Sequence, residues 1–335
     1  MRVSFFAALL TGALAAPVAA HHSAAQFDTS KQVTVEGVVT RYDWRNPHVY
    51  MAVRVVGPDG QELEQEIEAG ASSVLLPLGL TPAAVAIGEH VMVRGNPSRG
   101  GPGLMVLGRE LVKADGSVLP LNIRSAPSRA APQNVLATSI AGTWFPQTQG
   151  FYGYTESRAK WTLTGRAQEE AAAWSSRSAS YADCIPVTAP LLMLYPVTSV
   201  IEIGTDVVRM HVDWMASERV IYLDGRGHPV NGEATLHGHS IGRWEGSTLV
   251  VDTTQFASHK EGLSLGVPSG SRKHVVERFT LNADRTHLDY EVVVEDPDYL
   301  TESLTYRSQW NYRPDLVPTG LQCDLEVARR FLLQD

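Results

Sequence analysis

Apolar and polar residues alternate in short runs along most of this chain, and Gly, Pro, Asn and Asp break the runs. A period of two marks a half-buried strand. Val33-Thr34-Val35-Glu36-Gly37-Val38-Val39 follows that period and is rich in β-branched side chains, so it predicts a first strand. Residues 48–55 predict a second, ended by the turn signal Gly57-Pro58-Asp59-Gly60, and residues 61–69 a third that closes a hairpin. Residues 71–80 are apolar and unpunctuated. They predict a short helix, with Ser72 or Ser73 as its cap and Thr81-Pro82 as its stop. Residues 89–95 and 104–111 predict strands four and five across a glycine-rich loop. Five short strands with one helix after the third suit a small Greek-key barrel of the OB type.

The pattern then lapses. Residues 123–141 are rich in Pro, Ala and Ser and read as a linker, bounded as 126–141 between a first domain at 21–125 and a second at 142–335. In the second domain residues 166–174 are rich in Ala and Glu and predict its one clear helix. Strands are expected at 197–203, 207–214, 219–223, 249–253, 274–281, 288–295 and 303–312, with Asn282-Ala283-Asp284 as a hairpin loop. Spacing this regular predicts an antiparallel β barrel or sandwich. The fold class is therefore mainly β, a small OB-like Greek-key barrel followed by a larger antiparallel barrel or sandwich with one helix.

Length and composition agree with that division. At 335 residues the chain exceeds what one core usually organises. Hydrophobic residues make up 44% and charged ones 19%, a globular balance. The net charge is −8 and the basic residues are scattered, so the electrostatic footprint of a nucleic-acid partner is absent, although OB barrels often bind oligonucleotides.

Residues 1–20 read as a signal peptide. Arg2 is the positive flank, an apolar run with one Gly spans residues 5–13, and Val18-Ala19-Ala20 is a small-residue cleavage site. Cleavage behind Ala16 is the competing reading, and would leave Pro17-Val18-Ala19-Ala20 ahead of the histidines. A short membrane anchor fits less well, because the apolar run is too short to span a bilayer comfortably. No later stretch approaches the roughly 20 apolar residues of a membrane helix. The mature chain is expected in the periplasm or outside the cell, with no transmembrane segment. The two cysteines, Cys184 and Cys323, read as a disulfide in such an oxidising compartment, with two buried thiols as the alternative.

Cleavage behind Ala20 would give a chain beginning His21-His22-Ser23. A free α-amino group beside an imidazole is a chelating end, and nitrogen donors of this kind suit Cu(II), which heads the affinity order of divalent first-row metals. His21 supplies the amine and one ring nitrogen, and His22 or His48 a third donor. Such a set resembles the histidine brace of copper proteins. Protons compete with the metal at the amine, so affinity should fall on acidification. The competing reading leaves the terminal histidines unordered and His48 bonded to backbone.

The motifs His21-His22-Ser23, Phe27-Asp28, Val35-x-Gly37-x-Val39 and Trp44-x-Asn46-Pro47-His48 resemble those of an uncharacterised family of exported bacterial proteins. That resemblance covers residues 21–120 and implies export but no activity. Gly142-x-Trp144 resembles the first-strand motif of lipocalin-like barrels, and residues 184–325 resemble a β-rich exported domain without an assigned reaction.

Polar residues of the second domain gather in one block. Asp224, Arg226 and His228 precede His237, His239, Ser240 and Arg243, and Asp252 follows. Three uses of this block stay open. Asp224, Arg226, His228, His239, Arg243 and Asp252 line a pocket for a small apolar or aromatic molecule with a polar group; or one histidine is a general base oriented by Asp252 or Asp224; or Asp224-Gly225-Arg226 and Trp244-Glu245-Gly246 are hairpin turns and Arg243 pairs with Asp252. Ser240 and His239 are strand neighbours on opposite faces and cannot act as a nucleophile pair, whereas His237 and His239 would share a face and could share a metal. The sequence thus offers a binding protein for copper and a small ligand, a periplasmic enzyme, or a structural envelope protein.

Overall fold

A computed structural model of the chain describes residues 26–57, 59–100, 105–123 and 135–333, which form two barrels packed on each other. His21 and His22 lie outside the described residues. The first barrel comprises β1 (Val33–Asp43), β2 (Tyr50–Val56), β3 (Glu62–Glu68), β4 (His90–Pro97) and β5 (Met105–Lys113), with β6 (Val118–Pro120) at its edge. The order is β3-β2-β1-β4-β5, closed by a parallel pairing of β3 with β5. That is the OB arrangement, with α1 (Ser72–Leu75) and a 3₁₀ turn between β3 and β4.

β1 serves two partners. Val33 to Val38 pair with β4, and Val38 to Asp43 with β2. Val35 and Val39 point into the core with Val53, Ile67 and Leu111. Gly37 faces the same way, and a Cβ there would lie 2.0 Å from the Arg54 carbonyl oxygen on β2. Because that obstacle is backbone, it cannot swing aside. Gly37→Ala is expected to cost about 1–3 kcal/mol, read as a lower urea midpoint; an unchanged midpoint would mean that β1 bends elsewhere.

α1 begins one residue earlier than a serine cap would require. Ala71 occupies the cap position without a side-chain bond, while Ser72 and Ser73 lie inside the helix and are buried. Apolar packing makes this helix, since Ala71 and Val74 enter the core of the second domain.

The second barrel contains β7 (Gly142–Pro146), β8 (Ser199–Ile203), β9 (Val207–Val212), β10 (Ser217–Tyr222), β11 (His239–Glu245) and β12 (Thr248–Thr254). A separate hairpin, β13 (His259–Ser264) and β14 (Val267–Ser269), interrupts it before β15 (His274–Leu281), β16 (His287–Glu295) and β17 (Leu304–Tyr312), which pairs with β7 to close the ring. Nine strands cannot close with every neighbour antiparallel, because alternation around an odd ring must fail once. It fails between β10 and β11, which run parallel and share only two registered pairs, Ile221 with Ser240 and Tyr222 with Ile241. A parallel step needs a long connection, and residues 223–238 supply it. The barrel is otherwise antiparallel, as expected, and Asp224-Gly225-Arg226 belongs to this crossover and not to a hairpin. Trp244-Glu245-Gly246 does enter the β11–β12 turn, with Gly246 at φ +62°.

Inward positions fill the barrel with Trp144, Leu249, Val251, Phe279, Tyr290, Val292 and Trp310, all buried. Helices are more numerous than the one expected. α2 (Thr148–Ser157) precedes α3 (Gly165–Ala173), the predicted helix, whose cap Thr164 accepts from the Ala167 N–H at 3.2 Å. α4 (Leu191–Leu194) and α5 (Leu325–Arg329) are short. Gly150 and Gly153 let α2 lie against β17, where a Cβ would strike Ser308 or Tyr306.

Cys184 and Cys323 form a disulfide with Cα atoms 5.6 Å apart. It ties the C-terminal segment to the end of the turn at residues 180–183, and the same segment meets the first barrel. The Asn46 side-chain amide donates to the Leu321 carbonyl at 2.9 Å, and the Asp324 N–H donates to the Asn46 carbonyl at 2.8 Å. Val327 of α5 is buried with Phe27, Tyr50, Met105 and Leu107. Among the described residues, no helix is long and apolar enough to cross a membrane.

Candidate functional site

His48 sits where the chain turns into β2. Its Nδ1 is 2.7 Å from Glu68 Oε1, at the end of β3. Glu68 is 1% exposed, and its second oxygen has no hydrogen-bond partner among the described residues. The imidazole lies between two phenol rings, stacked at 6.0 Å on Tyr181 and 6.4 Å on Tyr50. With Nδ1 directed at Glu68, Nε2 is the ring nitrogen left for another partner. Metal-binding histidines are oriented in this way, through a carboxylate on the other ring nitrogen. The expected alternative of a ring bonded to backbone is therefore replaced by a ring bonded to a buried acid.

The chain approaching from the N-terminus comes close to this point. Gln26 accepts from the Arg99 N–H at 2.7 Å, Phe27 bridges to Ser98, and the Phe27 ring packs in the cluster that contains Tyr50. Six residue steps lead from Phe27 to His21, a reach of at most about 22 Å. Among the described residues, no three His, Cys, Asp or Glu side chains form a group that could hold a metal ion.

The block in the second domain divides in two. His228, His239 and Asp252 come together, and His274 joins them. Asp252 Oδ1 lies 3.1 Å from His228 Nε2 and 3.0 Å from His274 Nε2, and His228 Nδ1 lies 2.9 Å from His239 Nδ1. Asp252 thus joins His228 and His274 through their Nε2 atoms, and the Nδ1–Nδ1 contact extends the chain to His239. Burial, then the neighbouring His228, lowers the pKa of His239. The chain runs along the outer face of the barrel, since Asp252 alternates with the inward Val251 and Thr253. An imidazole oriented by a carboxylate has the form of a general base, yet the second nitrogen of His228 is taken by His239.

Asp224 and Arg226 pair with each other in the crossover, Nε to Oδ1 at 2.8 Å, and the guanidinium lies 3.9 Å over the Tyr222 ring. Arg243 pairs with Glu245 at 2.7 Å and not with Asp252, and Glu245 also receives Arg278. Arg243 and Glu245 are exposed and apart from the histidines, whereas Arg226 reaches them through the Tyr222 ring, which stacks on His239 at 5.3 Å. His237 and His239 do not share a face either. His237 lies in the turn before β11, and burial beside Arg219 and Lys273 lowers its pKa to about 3. Ser240 faces inward, 2.8 Å from Thr253 Oγ1, opposite His239 as strand geometry requires.

The sequence reading missed the charged group inside the barrel. Arg219 Nη1 lies 3.1 Å from Glu277 Oε1 and Nη2 lies 2.5 Å from Oε2, with the side chains 1% and 0% exposed. The Tyr290 hydroxyl donates to Glu277 Oε1 at 2.9 Å. A signal existed: Glu277 lies between Val275 and Phe279 at the inward parity of β15, and Arg219 between Ser217 and Ile221 at that of β10.

A family of unknown function, DUF6152, matches residues 9–105. The match covers under a third of the chain, reaches the first residue of β5, and includes His21-His22-Ser23 and Asn46-Pro47-His48. No curated protein matches the chain.

Proposed function

We propose that this chain is an exported copper-binding protein whose mature N-terminus, cut behind Ala20, supplies the amine and imidazole of His21, with His48 as a further nitrogen donor and His22 as its alternative. One observation carries the reading: Glu68, buried at 1% exposure, takes Nδ1 of His48 at 2.7 Å and frees Nε2. Nitrogen donors of this kind favour Cu(II) over the other divalent first-row ions. Glu68 fixes the orientation of the ring.

The test is Cu(II) retention after dialysis by protein exported with its own signal, with the first residue determined by N-terminal sequencing. One copper per chain and a first residue of His21 are expected. His21→Ala and His48→Ala should each lose the metal, and Glu68→Gln should weaken binding about ten- to a hundredfold. Copper retained equally by His21→Ala, or a chain that begins at Pro17, would sink the reading.

A further inference from the structure

The crossover between β10 and β11 is long and lightly held. Across residues 224–235, His228 carries the one side chain that is not exposed, and Val230 is 97% exposed. Backbone ties are few. The Pro229 carbonyl accepts from the Gln255 amide. At the far end, the Thr235 N–H donates to the Gln255 carbonyl at 3.0 Å, and the Ala257 N–H to the Thr235 carbonyl at 2.7 Å. Pro229, Gly232 and Glu233 of this segment line a cavity of about 450 Å³ together with Val220 and Tyr222 of β10. His228 is therefore the side chain that seats the segment on the barrel.

Its seat depends on a proton count. The His228 and His239 Nδ1 atoms are 2.9 Å apart and the ring centres 5.1 Å, so the two nitrogens lie between the rings and aim at each other. A hydrogen bond there needs one N–H and one lone pair. Two neutral rings, or one neutral and one charged, can supply both. Two imidazolium rings cannot, because each Nδ1 then carries a proton and two positive charges stand at the contact.

The surroundings do not relieve that conflict. Asp252 on β12 offers one oxygen, Oδ1, which His228 and His274 of β15 already share at 3.1 and 3.0 Å. Glu295 on β16 lies 3.4 Å from the other nitrogen of His274. Arg226, paired with Asp224, lies over Tyr222 of β10, which stacks on His239. No carboxylate bonds to His239 among the described residues. Burial, then His228, then Arg226 lower its pKa. A freed His239 returns toward the ordinary value of about 6.5, so the open form binds protons more readily. Falling pH through and below that value therefore favours opening.

We propose that the His228–His239 contact is an acid-sensitive latch, which holds residues 224–234 on the barrel wall at neutral pH and releases them when both rings are protonated, opening the cavity they line. The latch uses neither His48 nor the N-terminal histidines, so it and the copper reading can fail separately.

Amide hydrogen exchange of the metal-free protein tests this at about pH 7.5 and about pH 5.5, either side of the histidine range, with rates corrected for intrinsic exchange. Protection at Thr235 and Ala257 should fall about tenfold or more in acid, while Val292 and Val294 on β16 stay within about twofold. His228→Gln and His239→Gln each keep a hydrogen-bonding group and remove one titrating charge. At least one of them should hold neutral-pH protection and limit the acid loss to about threefold. Four results overturn the latch: equal protection at both pH values in the unaltered protein, a loss shared evenly by β16, an acid loss kept at full size in either variant, or protection lost at neutral pH in both variants.

Discussion

Replacing Cys323 by serine is expected to remove up to about 5 kcal/mol of stability, since a cross-link spanning this much chain restricts the unfolded state strongly. The bonded residues are 139 positions apart. The folded side of the equilibrium suffers as well. Cys323 forms a bridge with Asn46, and Asp324 N–H, Leu321 O and Val327 all engage the first barrel nearby. Loss of the covalent tie should therefore loosen residues 321–329 first. Urea unfolding of oxidised protein, reduced protein and Cys323→Ser gives the stability difference, and hydrogen exchange at Asp324 and Ala328 reports the local loosening. If reduced and oxidised proteins unfold at one midpoint, the segment is held by its non-covalent contacts and the entropic account is wrong.

Much of this architecture could be read from alternation. Val35, Gly37 and Val39 announce the inward face of β1, and Val275, Glu277 and Phe279 that of β15. Strand alternation is local, so it survives without knowledge of partners. What needs partners was lost. α2 carries Gly150 and Gly153 and two aromatics in sequence, a poor helix by propensity, and it exists because those glycines allow close approach to Ser308 and Tyr306. The parallel step could not be seen, because an odd strand count becomes visible only when the ring closes.

The site shows the same division. His228, His239 and Asp252 were grouped by their nearness in sequence, and they do meet. His274 arrives from β15, beyond the reach of that argument. Asp224, Arg226 and Arg243 were grouped for the same reason and meet other partners, because exposed ions pair with whatever is adjacent. The Asn46-Pro47-His48 motif carried more than a turn. Asn46 docks the disulfide-bonded segment, and His48 finds an acid twenty residues away on β3.

The barrel's inner ion pair invites a test in which one change should be worse than two. Arg219→Met leaves the Glu277 carboxylate, 0% exposed, with only the Tyr290 hydroxyl. Breaking a buried pair from one side typically costs about 3–5 kcal/mol, because a charge is stranded away from water. Glu277→Leu strands the guanidinium in the same way. The double variant Arg219→Met/Glu277→Leu removes both charges and leaves apolar side chains of similar length, a change that is often neutral or stabilising. Its urea midpoint should exceed that of either single variant. A double variant as unstable as the sum of the singles would show that the two charges act independently, and the stranded-charge account would fail.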